Sequence, residues 1–474
     1  MKYLLLFCTL FTFYCPGAAQ GWQQVGDLNV GVRQFYVDTV DNLLHSVTSA
    51  KYNGTDTIWG MFHYDGQQIV GIGADNNACG EPACGSMNMV QRFKDKVYYG
   101  GALKEIGGIS TVGMAGWDGS EWSPVTGLYR TELGNPANVS VWGSYVENDS
   151  TLLVSGLFLM AGQDTSYSIA RWNGSTWSGI PFFGDFLNQP HSLYNVIVYQ
   201  GQIFVTGNFS IATPSGEYLN NIARYDEASG WHAAGQGLIG GLSLIYDVIV
   251  YKDELYICGN FNTTNGNPGK GIMRWNGTEW RDVGGSICGA GIGCGMFVYK
   301  DKLYLSGLFE CLGTDNAPIN SIAVWDGERW CGIGTNLPFD NKISSVAFYN
   351  DTLYIGGGFV NIGGQTVKFF AKYVGDLESG VCTASSTETV VGSAPKVTLT
   401  PVPSGSRVAA TFSGLAYQRW QLLRLTDGLS VMSSEEPGSD GLELDVSAVS
   451  PGVYCLVVYF ADGVKRTGKV VVVR

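Results

Sequence analysis

Between residues 321 and 330 the chain reads Ser321-Ile322-Ala323-Val324-Trp325-Asp326-Gly327-Glu328-Arg329-Trp330. An apolar run ends at an aromatic residue, a polar pair follows, and a second tryptophan comes three residues later. β-Branched and aromatic residues favour strands, and Asp-Gly supplies the backbone angles of a tight hairpin turn. The segment therefore predicts two antiparallel strands joined by a tight turn.

The same pattern recurs along the chain. The aromatic residue before the turn appears seven times, 48 to 55 residues apart, at Tyr64, Trp117, Trp172, Tyr225, Trp275, Trp325 and Tyr373. In five copies a second tryptophan follows, at Trp122, Trp177, Trp231, Trp280 and Trp330. Each copy is preceded by a predicted hairpin, such as 346–359, whose second strand ends near Gly-x-Phe. A period near 50 is typical of four-stranded, kelch-sized blades, so the sequence predicts an all-β fold with a seven-bladed β-propeller.

The two ends of the repeat region complement each other. The segment Trp22-Gln23-Gln24-Val25-Gly26 resembles a last strand with no preceding three, and no strand follows Tyr373 in the seventh copy. We expect Trp22 and Val25 to lie beside Tyr373, so that the N-terminal strand completes the last blade. Such closure leaves no open sheet edge.

Four segments are expected from the composition along the chain. Residues 1–19 have the features of a secretory signal peptide: Lys2, an apolar run and small residues before Gln20. That run is shorter than the roughly 20 residues needed to cross a bilayer, and no transmembrane segment is expected elsewhere. The propeller would span 20–376, a linker rich in Ser, Thr, Gly and Val 377–396, and a small β-sandwich 397–474.

The net charge limits the partners. The chain carries a formal charge of −13, and an acidic surface repels phosphate backbones. We therefore expect no nucleic-acid partner.

Export would make disulfides plausible. Of the 11 cysteines, two leave with the signal peptide. The expected pairs flank a short loop or share a blade: Cys79 with Cys84, Cys288 with Cys294, and Cys311 with Cys331. Cys258, Cys382 and Cys455 are left over, and we expect Cys258 and Cys455 to be buried free thiols. The cysteine spacings do not match a zinc knuckle.

The repeats resemble the Trp-Asp-Gly-x-x-Trp propeller repeats of secreted bacterial proteins and, more distantly, kelch and galactose-oxidase-like propellers. The resemblance covers about 22–376 and implies a fold rather than an activity. Asn173 and Asn276 replace the turn Asp in two copies, so we interpret the turn residues as structural rather than as calcium ligands.

The C-terminal residues resemble the type A sorting domain of the Bacteroidota type IX secretion system. The matching features are Gly452 and Tyr454 in a Gly-x-Tyr strand, Gly463 in a turn, and a final run from Lys469 to Arg474. At 401–403 the chain has Pro-Val-Pro where that family usually has Pro-Asn-Pro. The resemblance implies the secretion machinery as a partner, and a secreted or cell-surface location reached through the periplasm and outer membrane. An ordinary small sandwich, such as an adhesion module, is the alternative.

No motif indicates catalysis. The four histidines lack metal-ligand spacing, and no nucleophile elbow or phosphate-binding loop is present; no catalytic, metal or cofactor residue is predicted. We favour a non-enzymatic module that binds glycan or protein through loops, with 262–270 and 313–320 as candidates. The alternatives are a secreted glycan-active hydrolase or oxidase with its site over the central channel, and a structural surface-layer role. Histidine or carboxylate side chains, or a metal, brought together in the channel would favour the enzyme. An aromatic-rich face would favour the binding module.

Overall fold

The computed structural model describes residues 21–53, 57–72, 84–130, 139–181, 192–213, 215–239, 244–263, 266–288, 292–377, 380–383, 398–400, 407–424, 430–460 and 465–472. The described elements are all strands, and none is a helix that could span a membrane. The chain divides into two compact units, 1–386 and 387–474.

In the described part of unit 1 there are 37 strands. In the first half they are β1 (Gly21–Gln24), β2 (Val32–Asp38), β3 (Leu43–Asn53), β4 (Thr57–Tyr64), β5 (Ile69–Gly71), β6 (Cys84–Phe93), β7 (Lys96–Leu103), β8 (Glu105–Ile106), β9 (Ile109–Ser110), β10 (Met114–Trp117), β11 (Trp122–Pro124), β12 (Leu128–Tyr129), β13 (Ser140–Asn148), β14 (Thr151–Leu157), β15 (Met160–Ala161), β16 (Asp164–Thr165), β17 (Ile169–Trp172) and β18 (Trp177–Gly179). In the second half they are β19 (Ser192–Tyr199), β20 (Gln202–Ala212), β21 (Tyr218–Asp226), β22 (Gly230–Ala233), β23 (Leu244–Tyr251), β24 (Glu254–Asn260), β25 (Ile272–Trp275), β26 (Trp280–Arg281), β27 (Ser286–Cys288), β28 (Ile292–Tyr299), β29 (Lys302–Leu308), β30 (Cys311–Gly313), β31 (Ile322–Trp325), β32 (Trp330–Gly332), β33 (Ile343–Tyr349), β34 (Thr352–Gly357), β35 (Asn361–Ile362), β36 (Gln365–Thr366) and β37 (Phe370–Val374).

Most of these strands form four-stranded antiparallel sheets, which we number in chain order. Sheets 1 to 6 run β2-β3-β4-β5, β6-β7-β10-β11, β13-β14-β17-β18, β19-β20-β21-β22, β23-β24-β25-β26 and β28-β29-β31-β32. Sheet 7 runs β33-β34-β37-β1, so its fourth strand comes from the start of the described chain. The remaining short strands pair in the connections between and within these sheets.

The first strand of each sheet lies toward the centre of unit 1. We call β2, β6, β13, β19, β23, β28 and β33 the inner strands. Each contacts the next in chain order, and β33 contacts β2. Sheets 7 and 1 are joined by the buried Phe35 amide, which donates to Ser345 Oγ at 3.0 Å, and by the Tyr349 hydroxyl, which donates to the Asn42 carbonyl at 2.8 Å. Sheets that follow one another around a central space form a propeller-like arrangement.

The paired aromatics of the repeat stack across the outer two strands. In sheet 6, Trp325 lies opposite Trp330 with ring centroids 5.1 Å apart. In sheet 7, Trp22 lies opposite Tyr373, also at 5.1 Å, and the Val25 amide donates to the Phe370 carbonyl. In sheet 7, β1 thus occupies the position of the fourth strand, which in sheets 2 to 6 carries the second tryptophan of the repeat.

The second tryptophan also links neighbouring sheets. The Trp330 indole N–H donates at 2.8 Å to the Val283 carbonyl, just beyond the last strand of sheet 5. Trp177 and Trp280 donate in the same way, at 2.8 Å, to a carbonyl beyond the preceding sheet. These bonds give the indole N–H groups acceptors and join neighbouring sheets, whereas the buried Trp122 Nε1 of sheet 2 has no hydrogen-bond partner among the described residues.

The turn residues have a structural role in the folded chain, as expected. Asp118 Oδ1 accepts the amides of Ser120 and Glu121, both at 2.8 Å, and these bonds hold the pKa of Asp118 at about 2. Asn276 accepts the amides two and three residues onward at 2.9 Å. Since an amide oxygen serves as well as a carboxylate, the turn requires an acceptor rather than a charge.

Among the described residues, three disulfides join cysteines differently from the predicted pairs. Cys288 bonds to Cys311, opposite each other on β27 and β30, and not to Cys294. The pairs Cys288–Cys294 and Cys311–Cys331 were therefore wrong, as was the free thiol at Cys258. The other two bonds are Cys258–Cys294 and Cys331–Cys382. The prediction failed because it paired cysteines close in sequence, whereas Cys258 and Cys294 lie on neighbouring strands of adjacent sheets.

The remaining predicted pair involves positions with little structural description. Cys79 lies outside the described residues, and of Cys84 and Cys455 only the backbone is described. The predicted pair Cys79–Cys84 stays a prediction.

The predicted linker begins within unit 1. Cys382 pairs with Cys331 on the outer strand of sheet 6, and the Thr383 amide donates to the Trp330 carbonyl at 2.8 Å. The two compact units divide between 386 and 387, within the predicted linker 377–396.

Unit 2 is one six-stranded sheet. Its strands are β38 (Thr398–Thr400), β39 (Arg407–Arg424), β40 (Ser430–Ser434), β41 (Gly438–Asp445), β42 (Gly452–Phe460) and β43 (Lys465–Val472). The long β39 pairs along its first half with β38 and β41 and along its second half with β40 and β42. Both halves bury side chains in one core, which includes Val408, Leu422 and Tyr454; the predicted β-sandwich stays a prediction.

Candidate functional site

A cavity of about 840 Å³ lies between the inner strands of unit 1. Residues from all seven sheets line it. Ligand sites are typically concave spaces of roughly 300–1,000 Å³, so this cavity is the candidate site.

A β-bulge in every inner strand brings one residue to the cavity. In sheet 5, Ile245 pairs with Gly259 and Asp247 with Cys258, so Tyr246 is left without a partner. A bulged residue is re-aimed relative to its neighbours, and all seven bulged residues line the cavity. We call them the bulge ring: Arg33, Asn88, Trp142, Tyr194, Tyr246, Cys294 and Ser344.

The Gly-x-Phe glycine of the repeat makes room for the bulge. A Cβ on Gly259 would lie 2.0 Å from the Leu244 carbonyl oxygen, and Gly156, Gly207 and Gly357 meet a carbonyl oxygen at 2.1 to 2.2 Å. None of the four has a positive φ, so close approach rather than backbone conformation requires glycine here. The motif that identifies the fold therefore also marks the site.

One side of the bulge ring is aromatic. Trp142, Tyr194 and Tyr246 come from the consecutive sheets 3, 4 and 5, and we call them the aromatic arc. The rings of Trp142 and Tyr194 lie 5.3 Å apart at an angle of 46°. Burial raises the pKa of both tyrosines, and the nearby Tyr246 hydroxyl raises that of Tyr194 further. Tyr246 is nevertheless 36% exposed, so the arc offers ring surface to a ligand.

The opposite side of the ring is polar and cationic. Arg33 Nη1 donates to Asn88 Oδ1 at 2.9 Å. Ser344 and Lys342, from sheet 7, line the cavity beside them. We call Arg33, Asn88, Ser344 and Lys342 the cationic arc. The cavity therefore has two chemically distinct sides.

Asp247 is the one carboxylate among the described residues that line the cavity. Its oxygens accept the Met296 amide at 2.6 Å and the Val248 amide at 2.8 Å, which links sheets 5 and 6. Burial outweighs these bonds and raises the pKa of Asp247 to about 6. Glycoside hydrolysis generally needs two carboxylates, so this lining does not provide that pair.

The described histidines lie elsewhere. His45 is buried between sheets 1 and 2, where Nδ1 lies 2.6 Å from the Tyr99 hydroxyl and Nε2 lies 3.5 Å from Asp38. His63 packs beside it and His232 contacts Glu217; His191 is outside the described residues. The described residues contain no group of three or more histidine, cysteine, aspartate or glutamate side chains arranged to hold a metal ion.

The loops predicted to bind ligand are partly occupied by internal bonds. Asn267 is buried, accepts the Ile239 amide and donates to the Asn262 carbonyl. The Asn320 amide and side chain both bond to Asn336. These asparagines hold the connections in place.

The bulge ring was not among the residues predicted from the sequence. A signal for it exists, because in sheet 2 and in sheets 4 to 7 the bulged residue lies 13 residues before the repeat glycine on the second strand of the same sheet.

The predicted sorting residues lie in unit 2. The Gly-x-Tyr strand β42 runs beside the terminal strand β43, with Tyr454 opposite Val470 and the Cys455 backbone opposite that of Lys469. Tyr454 is buried and its hydroxyl donates to the Ser450 carbonyl at 2.7 Å. Gly463 and Arg474 are outside the described residues.

No family model and no curated protein matches the chain. Among solved structures, the extracellular domain of a hybrid two-component system from B. thetaiotaomicron aligns at 11% identity with a TM-score of 0.46, covering 96% of this chain and 59% of that one. The WD40 repeats of RRP9 align at 9% identity with a TM-score of 0.44, covering 76% of this chain and 98% of theirs. The chain thus spans less than two thirds of the length of the first structure.

Proposed function

We propose that unit 1 is a closed seven-bladed β-propeller that binds carbohydrate in its central cavity. The seven four-stranded sheets, the contact of β33 with β2 and the pairing of β1 with β37 support the closed ring. A closed ring of this kind is a rigid scaffold that can hold a ligand site between its blades.

The observation that carries the function is the aromatic arc. Three aromatic side chains from successive sheets line one cavity, and bulges rather than loops position them. The flat C–H faces of a pyranose ring pack on aromatic rings, whose faces are weakly negative. Asn88 and Ser344 across the cavity provide donors and acceptors for sugar hydroxyls. A folded protein partner would need a larger continuous surface, commonly about 800 Å² on each side, so a small glycan suits the cavity better.

We also propose that the protein acts outside the cell. Three disulfides among the described residues are typical of an oxidising compartment. The sequence features of residues 1–19 suit export through the inner membrane, and those of unit 2 suit the type IX secretion machinery. Deleting 397–474 in a Bacteroidota host should leave the propeller in the periplasm. Unchanged delivery to the surface or medium would contradict the sorting role.

The binding function is tested on a broad glycan array with the full chain. We expect selective binding of a small set of related glycans, and we expect Trp142→Ala to abolish it. Tyr218→Ala is the matched control, because Tyr218 is 64% exposed and does not line the cavity. The absence of any glycan bound by the wild type, or equal loss in both variants, would contradict the proposal. Cleavage or oxidation of a bound glycan would indicate the enzyme instead.

A further inference from the structure

The cationic arc contains an arginine without a carboxylate partner. Arg33 makes one side-chain bond, to the neutral Asn88, and no described carboxylate forms an ion pair with it or with Lys342. Three other arginines of unit 1 pair with carboxylates: Arg92 with Asp38 and Asp41, Arg171 with Glu147 and Glu227, and Arg274 with Glu254; Arg224 instead bonds to the Gln202 side chain and the Ala233 carbonyl. Arg33 and Lys342 are solvent-exposed cations on the cavity of a chain whose formal charge is −13.

The guanidinium of Arg33 is partly removed from water, although the residue as a whole is exposed. Burial lowers the pKa of Arg33, because removing a guanidinium from water disfavours its charged form. Asp247, the one described carboxylate of the lining, forms no ion pair with Arg33, and its two oxygens accept backbone amides. An anion in the cavity would supply the missing partner.

Arg33 and Lys342 both line the cavity and lie on neighbouring parts of the chain's fold, at sheets 1 and 7. Arg33 is on β2, and Lys342 directly precedes β33, the strands joined by the bond from Phe35 to Ser345. The backbones are close enough that a Cβ on Gly31 would lie 2.7 Å from the Gly357 carbonyl oxygen. A guanidinium binds a carboxylate through two parallel hydrogen bonds, and a lysine adds a point charge.

We propose that the carbohydrate bound in the cavity carries a carboxylate, which Arg33 and Lys342 bind while the aromatic arc packs on the sugar ring. This proposal rests on the carbohydrate-binding function proposed above. It assigns the ligand to the acidic sugars, uronic or nonulosonic acids, and gives each side of the cavity a separate role. The aromatic arc provides affinity for the ring, and the cationic arc selects the charge.

The test compares acidic oligosaccharides with neutral counterparts of the same shape. Trigalacturonate, a hyaluronan hexasaccharide and sialyllactose are each paired with their own carboxyl methyl ester, by calorimetric titration of the full chain. We expect at least one acidic member to bind about 10- to 100-fold more tightly than its neutral counterpart, the range of a charged hydrogen-bonded contact. The preference should shrink as salt rises.

Variants separate this proposal from the function on which it rests. Arg33→Gln should remove most of the preference for the acid over the neutral sugar, whereas Trp142→Ala should weaken binding of both. Lys300→Gln is the charge-matched control, since Lys300 is exposed beside Asp351 in the turn after β28 and does not line the cavity.

The outcomes are distinct. Equal binding of acid and neutral sugar, still sensitive to Trp142→Ala, would overturn the acidic ligand and leave carbohydrate binding intact. Preference for a sulfated sugar over its carboxylate analogue, or an unchanged preference in Arg33→Gln, would also overturn it. If no sugar on the array or in these titrations binds, carbohydrate binding itself fails.

Discussion

Replacing Gly259 with alanine tests whether the repeat glycine holds the bulge. The added Cβ would lie 2.0 Å from the Leu244 carbonyl oxygen and 2.9 Å from Ile245 Cα. Both atoms are backbone, so they cannot rotate away, and the bulge that presents Tyr246 must move on the order of 1 Å. Overpacking of this kind costs roughly 1–3 kcal/mol.

Alanine also stabilises by restricting the unfolded chain, by about 0.4–1 kcal/mol. The net loss in Gly259→Ala is then about 1–2 kcal/mol of unfolding free energy. Gly307 provides the matched control, because it occupies the same place in sheet 6 but its Cβ would meet nothing closer than 3.4 Å. Gly307→Ala should be neutral or slightly stabilising.

Urea unfolding of the full chain, followed by tryptophan fluorescence, measures this difference. All tryptophans except Trp420 belong to unit 1, so the transition reports on the propeller. Gly259→Ala should unfold at lower urea than Gly307→Ala and should bind glycan more weakly, since Tyr246 is displaced. Equal midpoints for the two variants would refute the steric role of the glycine.

Three further predictions concern stability and covalent structure. Trp22→Ala should destabilise unit 1 by roughly 3–5 kcal/mol, because Trp22 is 8% exposed and packs on Tyr373; an unchanged melting temperature would count against closure by β1. Burial lowers the pKa of His45 to about 4, so stability should be full above pH 6.5 and fall by about 3 kcal/mol as the pH drops toward 4. As the pH falls through this range, the urea midpoint should decrease less steeply in His45→Gln than in the wild type. The same pH dependence in both proteins would contradict the role of His45. Non-reducing peptide mapping should recover the linked pairs Cys258–Cys294, Cys288–Cys311 and Cys331–Cys382, whereas a Cys288–Cys294 peptide would exclude this pairing.

Sequence periodicity predicted the sheets because each repeat encodes the same local contacts. The turn acceptor, the paired aromatics and the Gly-x-Phe glycine recur at nearly fixed spacing, and the odd position of Trp22 predicted its pairing opposite Tyr373. These features could be recognised in the sequence without knowing which sheets are neighbours.

The candidate site could not be predicted from the sequence in the same way. The bulge ring holds a different residue type in nearly every sheet, from Arg33 to Trp142 to Ser344, because a bulge fixes direction and not chemistry. Its members are about 50 residues apart and meet only when the sheets surround a common centre. The disulfide Cys258–Cys294 was missed for the same reason, since it joins neighbouring sheets rather than neighbouring residues.

A crystal structure of the full chain with the tightest glycan from the array is the most direct measurement. We predict the sugar ring against Trp142 and Tyr194, with its polar groups toward Arg33 inside the central cavity. A glycan bound on an outer loop or on unit 2, with the cavity empty, would contradict the central role of the bulge ring.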